Sequence, residues 1–211
     1  MGYLLPEEYA AFGLGAETAD DWVVMASALM EAHCRRPSLL VTQYTERMRL
    51  TAGAQAVRLS YRPLLAAVGA ASALVNVRVR YGQARRGEMA DPMREQIAWA
   101  FSVPGSWSVL DVAGVDANTA TGEVTFAHNF LGLRYNEAEV TYTSGAAVTV
   151  AAIPTAVKVA CAQIVKNAQA TPAMNVKSSR MDAMQMEYFS GALLDEQVKA
   201  LLRPYVAERL G

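Results

Sequence analysis

The residues that could do covalent or acid–base chemistry are few in this 211-residue chain. His33 and Cys34 are adjacent, and an imidazole next to a thiol is what a cysteine nucleophile requires. On a helix, however, adjacent side chains do not face each other, and the negative end of a helix raises the pKa of a thiol. We therefore predict that Cys34 and Cys161 are buried apolar residues, and that the isolated His128 is structural or exposed.

Carboxylates also occur in pairs, at Asp20–Asp21, Asp195–Glu196 and Glu137/Glu139. The first two pairs begin predicted helices, where negative charge complements the helix dipole, and the third lies on one face of a predicted strand. The sequence contains no phosphate-binding loop, dinucleotide-binding glycine pattern or zinc-protease motif. It therefore predicts no catalytic residue, no metal site and no cofactor, and a protein that is not an enzyme. A small ligand-binding barrel or a hydrolase is the alternative from another functional class.

Arginines are concentrated in residues 38–88, where the net charge is +6, and residues 89–152 oppose them with a net charge of −5. Such asymmetry is typical either of head-to-tail contact between subunits or of a face turned toward a polyanion. Tyrosines interleave with the arginines, but alternation along a strand would place the two types on different faces. This separation argues against sequence-specific DNA binding and leaves loose contact with DNA open. The candidate DNA-channel or inter-subunit charges are Arg47, Arg49, Arg58, Arg78 and Arg80.

A second candidate surface lies in residues 173–191, which we predict to be irregular or extended and which are rich in methionine. Unbranched methionine side chains adapt to partner surfaces, and an apolar segment needs cover from its own chain or from another. Both kinds of cover remain open. The candidate contact residues in this segment are Met181, Met184, Met186, Tyr188 and Phe189.

Periodicity predicts the elements that would position these residues. Residues 18–35 have helical spacing, with Thr18 and Asp21 as a capping box. The apolar stripe of this helix is predicted to be Trp22, Met25, Ala26, Leu29, Met30 and His33.

Between residues 39 and 150 the period becomes two, which predicts five or six short strands in a small antiparallel sheet or barrel. Clean alternation predicts strands at 57–62, 75–81 and 138–143, Trp107 and Val109 belong to a further predicted strand, and a helical excursion is predicted near 92–101. Helical spacing returns at 154–170 and 192–203. The sequence thus predicts an α+β fold, in which segments 1–38 and 152–211 form a helical core and 39–151 is an inserted β-rich domain.

Composition is consistent with a globular chain that buries apolar surface against other subunits. Hydrophobic residues make up 53% of the sequence, yet no run approaches the roughly 18 apolar residues of a membrane span. The first residues lack the basic start of a secretory signal, and two widely separated cysteines favour a reduced compartment. We therefore expect no membrane association.

Several short segments, taken in order, carry a resemblance to a known family. They include V-x-L-x-Y-R-P at 57–63, V-T-Y-T-S-G at 140–145 and L-L-x-P-Y at 201–205. The ordered set, over about residues 18–209, resembles the head–tail connector (adaptor, or head-completion) proteins of long-tailed bacteriophages and prophages.

The resemblance implies a structural virion protein, made in the bacterial host cytoplasm, whose copies form a commonly dodecameric ring below the capsid portal. Such a ring extends the DNA channel, touches passing double-stranded DNA without sequence specificity and presents a surface to the next neck or tail protein. The helices are then the ring-forming core, and residues 173–191 are an arm that reaches a neighbour or the portal. The implied portal or subunit contacts also include Leu201, Leu202, Pro204 and Tyr205. A tail-terminator or stopper protein of the same neck is the alternative.

Overall fold

A computed structural model of the chain describes residues 2–50, 55–80, 106–127, 135–170 and 193–208. It also describes the helical positions Pro92, Met93, Gln96 and Ala100, and the backbone of 178–181 and 184–187. The four isolated helical positions agree with the helix predicted near 92–101. In the described segments, each helix is too short or too polar to cross a bilayer.

The architecture is α+β, as predicted, and the chain forms two compact units. The helical unit contains Met1–Leu40 and Ala146–Val206, and the β unit contains Val41–Gly145 and Ala207–Gly211. The segments predicted from sequence, 1–38 with 152–211 and 39–151, divide the chain at nearby positions. Each unit has its own hydrophobic core.

The helical unit is built on α1 (Asp20–Cys34), α2 (Thr155–Ala170) and α3 (Glu196–Leu202). Helix α2 packs against both α1 and α3, and its buried face consists mainly of alanine, valine and cysteine side chains, which let helices approach closely. Asp195 caps α3, because its carboxylate accepts a hydrogen bond of 2.7 Å from the Val198 amide. Short 3₁₀ helices, Pro6–Glu8, Ala10–Phe12 and Arg203–Tyr205, complete the unit.

The start of α1 differs from the prediction. Ala19 is the N-cap residue, and no side chain caps this end, so the capping box of Thr18 and Asp21 is wrong. Thr18 is buried instead, and Gln169 on α2 donates to its hydroxyl at 3.4 Å. Tertiary packing of the Thr18 side chain has therefore replaced the local cap.

The buried face of α1 is also displaced from the predicted stripe. Val23, Ala26, Ser27, Met30 and Cys34 are buried, whereas the predicted core residue Met25 is half exposed. Trp22 and Leu29 pack against the core while remaining partly accessible. Periodicity identified the helix, but it misjudged which side of a mostly apolar helix faces inward.

The β unit contains two antiparallel sheets. The larger has the order β1-β7-β3-β4, and the smaller has the order β2-β6-β5. The strands are β1 (Thr42–Arg49), β2 (Ala56–Arg58), β3 (Leu74–Arg80), β4 (Trp107–Leu110), β5 (Asp116–Asn118), β6 (Glu123–Thr125) and β7 (Glu137–Ser144). Valines and Tyr142 on their inner faces form the core, and the polar residues alternate outward.

Two strands differ from the sequence-based expectation. Strand β2 ends at Arg58, although alternation predicted an extended segment as far as Arg62. Strand β5 was not predicted, because the sequence Asp-Ala-Asn has little intrinsic preference for a strand and is held by pairing with β6.

Within residues 173–191, the described backbone forms an antiparallel hairpin of β8 (Ser178–Met181) and β9 (Met184–Glu187). This agrees with the extended conformation expected there.

Candidate assembly surfaces

Four of the five candidate arginines lie on one outer face of the larger sheet. The pairing of β1 and β3 with the central strand β7 places their outward side chains around those of β7. We call this surface the arginine face; it consists of Arg47 and Arg49 on β1, Arg78 and Arg80 on β3, Glu137 and Glu139 on β7, and Trp107 and Val109 on β4.

Glu137 is the centre of this arrangement. Its carboxylate pairs with Arg47 and Arg80, each at 2.7 Å, and with Arg49 at 3.9 Å. Only 12% of the Glu137 side chain is exposed, whereas Arg47 and Arg49 are exposed by 53% and 63%. The hydrogen bond from Arg80, followed by that from Arg47, holds the pKa of Glu137 below its ordinary value despite this burial. The carboxylate is therefore ionised at neutral pH.

The second carboxylate, Glu139, pairs with Arg78 at 2.6 Å. The indole of Trp107 lies beside three of the guanidinium groups, whose central carbons are 4.9 Å (Arg80), 5.2 Å (Arg78) and 5.3 Å (Arg47) from the ring centroid. These distances are within the range of cation–π attraction. Three of the four arginines, Arg47, Arg78 and Arg80, thus each contact both a carboxylate and the indole.

The arginine face combines residual positive charge with exposed apolar surface. Four guanidinium groups and two carboxylates leave a net charge of +2 on its named residues. Val109, on the same face of β4, is 72% exposed. Tryptophan, arginine and exposed apolar side chains are the types that dominate protein–protein contacts.

The fifth candidate arginine is elsewhere. Arg58 is on β2 of the smaller sheet and pairs with Glu208 at 3.1 Å; Arg62 pairs with the same carboxylate. Arg58 is therefore not part of the arginine face, because β2 pairs with β6 and not with a strand of the larger sheet. The Glu208 amide donates to the Ser60 carbonyl at 3.0 Å, so these contacts attach the end of the chain to the β unit.

Tyr44 and Tyr61 point away from the arginine face, as alternation predicted, whereas Tyr81 lies outside the described residues. The rings of Tyr44 and Tyr61 stack with centroids 3.9 Å apart. The buried Tyr142 donates a hydrogen bond to Glu46, whose carboxylate also accepts from the Ser60 hydroxyl at 2.9 Å. Burial, and then the bond to Glu46, raises the pKa of Tyr142 well above its ordinary value. These tyrosines and the arginines are therefore on different sides of the sheet, and Trp107 is the aromatic side chain that accompanies the arginines.

The predicted contact residues of the C-terminal segment have different environments. Leu202 is fully buried in the core of the helical unit, and Leu201 and Tyr205 are partly buried against that core. Pro204 is exposed. In the hairpin, Met181 ends β8 and pairs with Met184 of β9, and Met186 pairs with Ser179. Tyr188 and Phe189 lie outside the described residues, as does His128.

The two thiols are not activated. Cys34 and Cys161 are free and fully buried, as predicted, and burial raises the pKa of each to about 11. The described residues contain no cluster of histidine, cysteine and carboxylate side chains that could hold a metal ion.

Sequence reasoning missed the part that Trp107 and Glu137 play in the arginine face. Both residues had been placed on strands, but their partners are 27 to 90 residues away in sequence, and only the strand order brings them together. The opposed charges of segments 38–88 and 89–152 were the one signal that pointed to such pairing.

No protein-family model matches the chain, and no curated protein matches it. Among solved structures, it resembles a chain in the neck of an empty gene transfer agent particle, computed with C6 symmetry. The identity is 14%, the TM-score is 0.50, and the match covers 99% of this chain and 92% of that one. A chain in the virion of a native gene transfer agent particle is similar, with 13% identity, a TM-score of 0.50 and the same coverage. At these identities the likeness establishes a shared fold.

Proposed function

We propose that this chain is a structural protein of the neck of a phage-like particle and has no enzymatic role. The observation that carries the proposal is the fold likeness over nearly the whole chain to chains in gene transfer agent particles, the first of them in the neck. The family resemblance of the ordered sequence segments supports the same role independently. The exposed arginine face supports a function based on contact rather than catalysis.

In the proposed role, the copies form a ring between the capsid portal and the next neck or tail protein. The ring is a dodecamer, the number that the resemblance implies, and it extends the channel for double-stranded DNA. The net charge of the whole chain, −1, suits a channel that must let DNA pass without gripping it. The hairpin β8–β9 and the exposed Pro204 lie in the segments proposed to contact the portal or a neighbouring copy.

The test is assembly of the purified full chain, alone and with the portal protein of the same particle. Mass photometry and negative-stain electron microscopy should show a ring, and mass spectrometry should find the chain in purified particles. Deletion of residues 173–191 should abolish association with the portal. A chain that forms no ring under either condition, or that is absent from the particle, would overturn the proposal. Binding to the tail end instead of the portal would assign it to the tail-terminator or stopper class.

A further inference from the structure

The β unit has a second outer face whose charge is opposite to that of the arginine face. On the smaller sheet, inward Val124 and Ala117 alternate with outward side chains on β5 and β6. We call the outward part of these two strands the acidic face; it consists of Asp116, Asn118, Glu123 and Thr125. All four residues are exposed.

The two carboxylates of the acidic face are available for contact. Asp116 and Glu123 are in no ion pair with another described residue. Arg58, which neighbours Glu123 across the β2–β6 pair, is engaged by Glu208. The acidic face therefore offers two negative charges, and the arginine face has two positive charges in excess.

The composition of the arginine face indicates that its binding partner is a protein. A surface built for a polyanion would not place two carboxylates among its arginines, since carboxylates repel phosphates. Trp107, beside three guanidinium groups, and the exposed Val109 instead resemble the centre of a protein contact. A second copy of this chain carries a face of complementary charge, the acidic face.

We infer that the arginine face of one copy binds the acidic face of the next copy. The two faces are different surfaces of the same unit, so the contact is head-to-tail, and repetition of such a contact closes a ring when the rotation permits. This inference rests on the proposed ring and specifies the surfaces that build it. Charge complementarity sets the direction and register of the contact, and the tryptophan and valine supply apolar burial.

A charge-swap experiment on the full chain tests this contact. The first variant carries Arg49→Glu and Val109→Glu, both at highly exposed positions of the arginine face. The second variant carries Asp116→Lys and Glu123→Lys. Val68→Glu is the control, because Val68 is 81% exposed and belongs to neither face.

Sedimentation velocity should show that each swap variant self-associates more than about tenfold more weakly than the wild-type chain, because like charges then meet. The control should assemble like wild type. An equimolar mixture of the two swap variants should restore assembly, since each altered face then meets an opposite charge. Misfolding cannot produce this rescue.

The outcomes separate the inference from the proposed function. If wild-type rings form and both swap variants also assemble fully, the interface is wrong and the ring stands. If both variants are impaired, are folded by circular dichroism and fail to rescue each other, the pairing of these two faces is also wrong. A wild-type chain that stays monomeric at every concentration and with the portal counts against the ring itself.

Discussion

The two units of this protein place charge in opposite ways. In the helical unit, the ammonium group of Lys158 is almost fully buried and pairs with Glu8. In the β unit, the arginines of the larger sheet surround Glu137 and remain 25% to 63% exposed. The Lys158 ammonium is thus a single buried charge, whereas the arginines are several charges on a surface.

This difference indicates that paired charges stabilise the fold in the helical unit and are available for contact with other molecules in the β unit. Removing one partner of a buried pair leaves a charge without solvent, which costs several kcal/mol, whereas exposed pairs contribute about 1 kcal/mol or less each. An exposed network of four arginines is therefore a poor source of stability for its size. Its more effective use is recognition, which is why we propose the arginine face as a contact between copies.

The largest effect should come from the apolar core of the helical unit. Leu202→Ala should lower the free energy of unfolding by about 4 kcal/mol, because Leu202 is fully buried and the truncation leaves a cavity. Leu201→Ala is the matched control on the same helix, and its cost should be well below that of Leu202→Ala, since Leu201 is only partly buried. Urea denaturation followed by circular dichroism measures both. Equal losses would mean that Leu202 is not the core residue described.

The buried ion pair should give the next effect. Glu8→Ala should cost about 3 kcal/mol, because the Ala151 carbonyl, at 3.2 Å, is then the one hydrogen-bond partner of the Lys158 ammonium among the described residues. The combination of Glu8→Gln with Lys158→Met should restore most of this stability, since no buried charge then remains. If the double variant is as unstable as Glu8→Ala, packing rather than charge governs this site.

A smaller effect is expected inside the β unit. Tyr142→Phe should cost about 2 kcal/mol, since it removes the donor to Glu46 and the acceptor of the Tyr61 amide at 3.2 Å. Thr141→Val, on the opposite side of the same strand, removes an exposed hydroxyl contact and should change stability little. Thermal unfolding compares the two variants, and a larger loss for Thr141→Val would reverse our assignment of the buried face.

The smallest effect should come from the arginine face. Glu137→Gln should cost about 1 kcal/mol or less at pH 7, because its arginine partners stay solvated. The folded pKa of Glu137 lies below its ordinary value of 4.5, so its contribution is full above that pH and is lost as the pH falls toward the folded pKa. The wild-type chain should therefore lose more stability than the variant as the pH is lowered below 4.5. Parallel acid-unfolding curves for the two proteins would contradict this account.

Much of the fold could be predicted from local pattern. Helix α2 was expected at 154–170 and is Thr155–Ala170, and the alternation of valine and arginine predicted β3 within a residue. These elements follow from side-chain periodicity, which reports burial directly. The α1 cap failed because its threonine is used in tertiary packing, and β5 was missed because its partner strand, rather than its own residues, stabilises it.

The outward direction of the arginines could be predicted from the sequence, but their grouping on one sheet could not. Alternation placed arginines outward and tyrosines inward, and the charge blocks suggested unlike faces that meet. The placement of Arg58 in the smaller sheet could not be predicted. Its segment alternates in the same way as the strands of Arg49 and Arg78, which belong to the larger sheet.

By itself, the sequence determined most of the elements but not β5, their buried sides apart from that of α1, and the burial of the two cysteines. The tertiary structure decided which strands share a sheet, and thus that Glu137 gathers arginines from β1 and β3 and that Trp107 lies beside three of them. The physical reason is the sequence separation of the residues that interact. Periodicity is set by neighbours a few residues apart, whereas pairing register joins residues as much as 90 positions apart, such as Arg47 and Glu137, and depends on the whole core that the strands enclose.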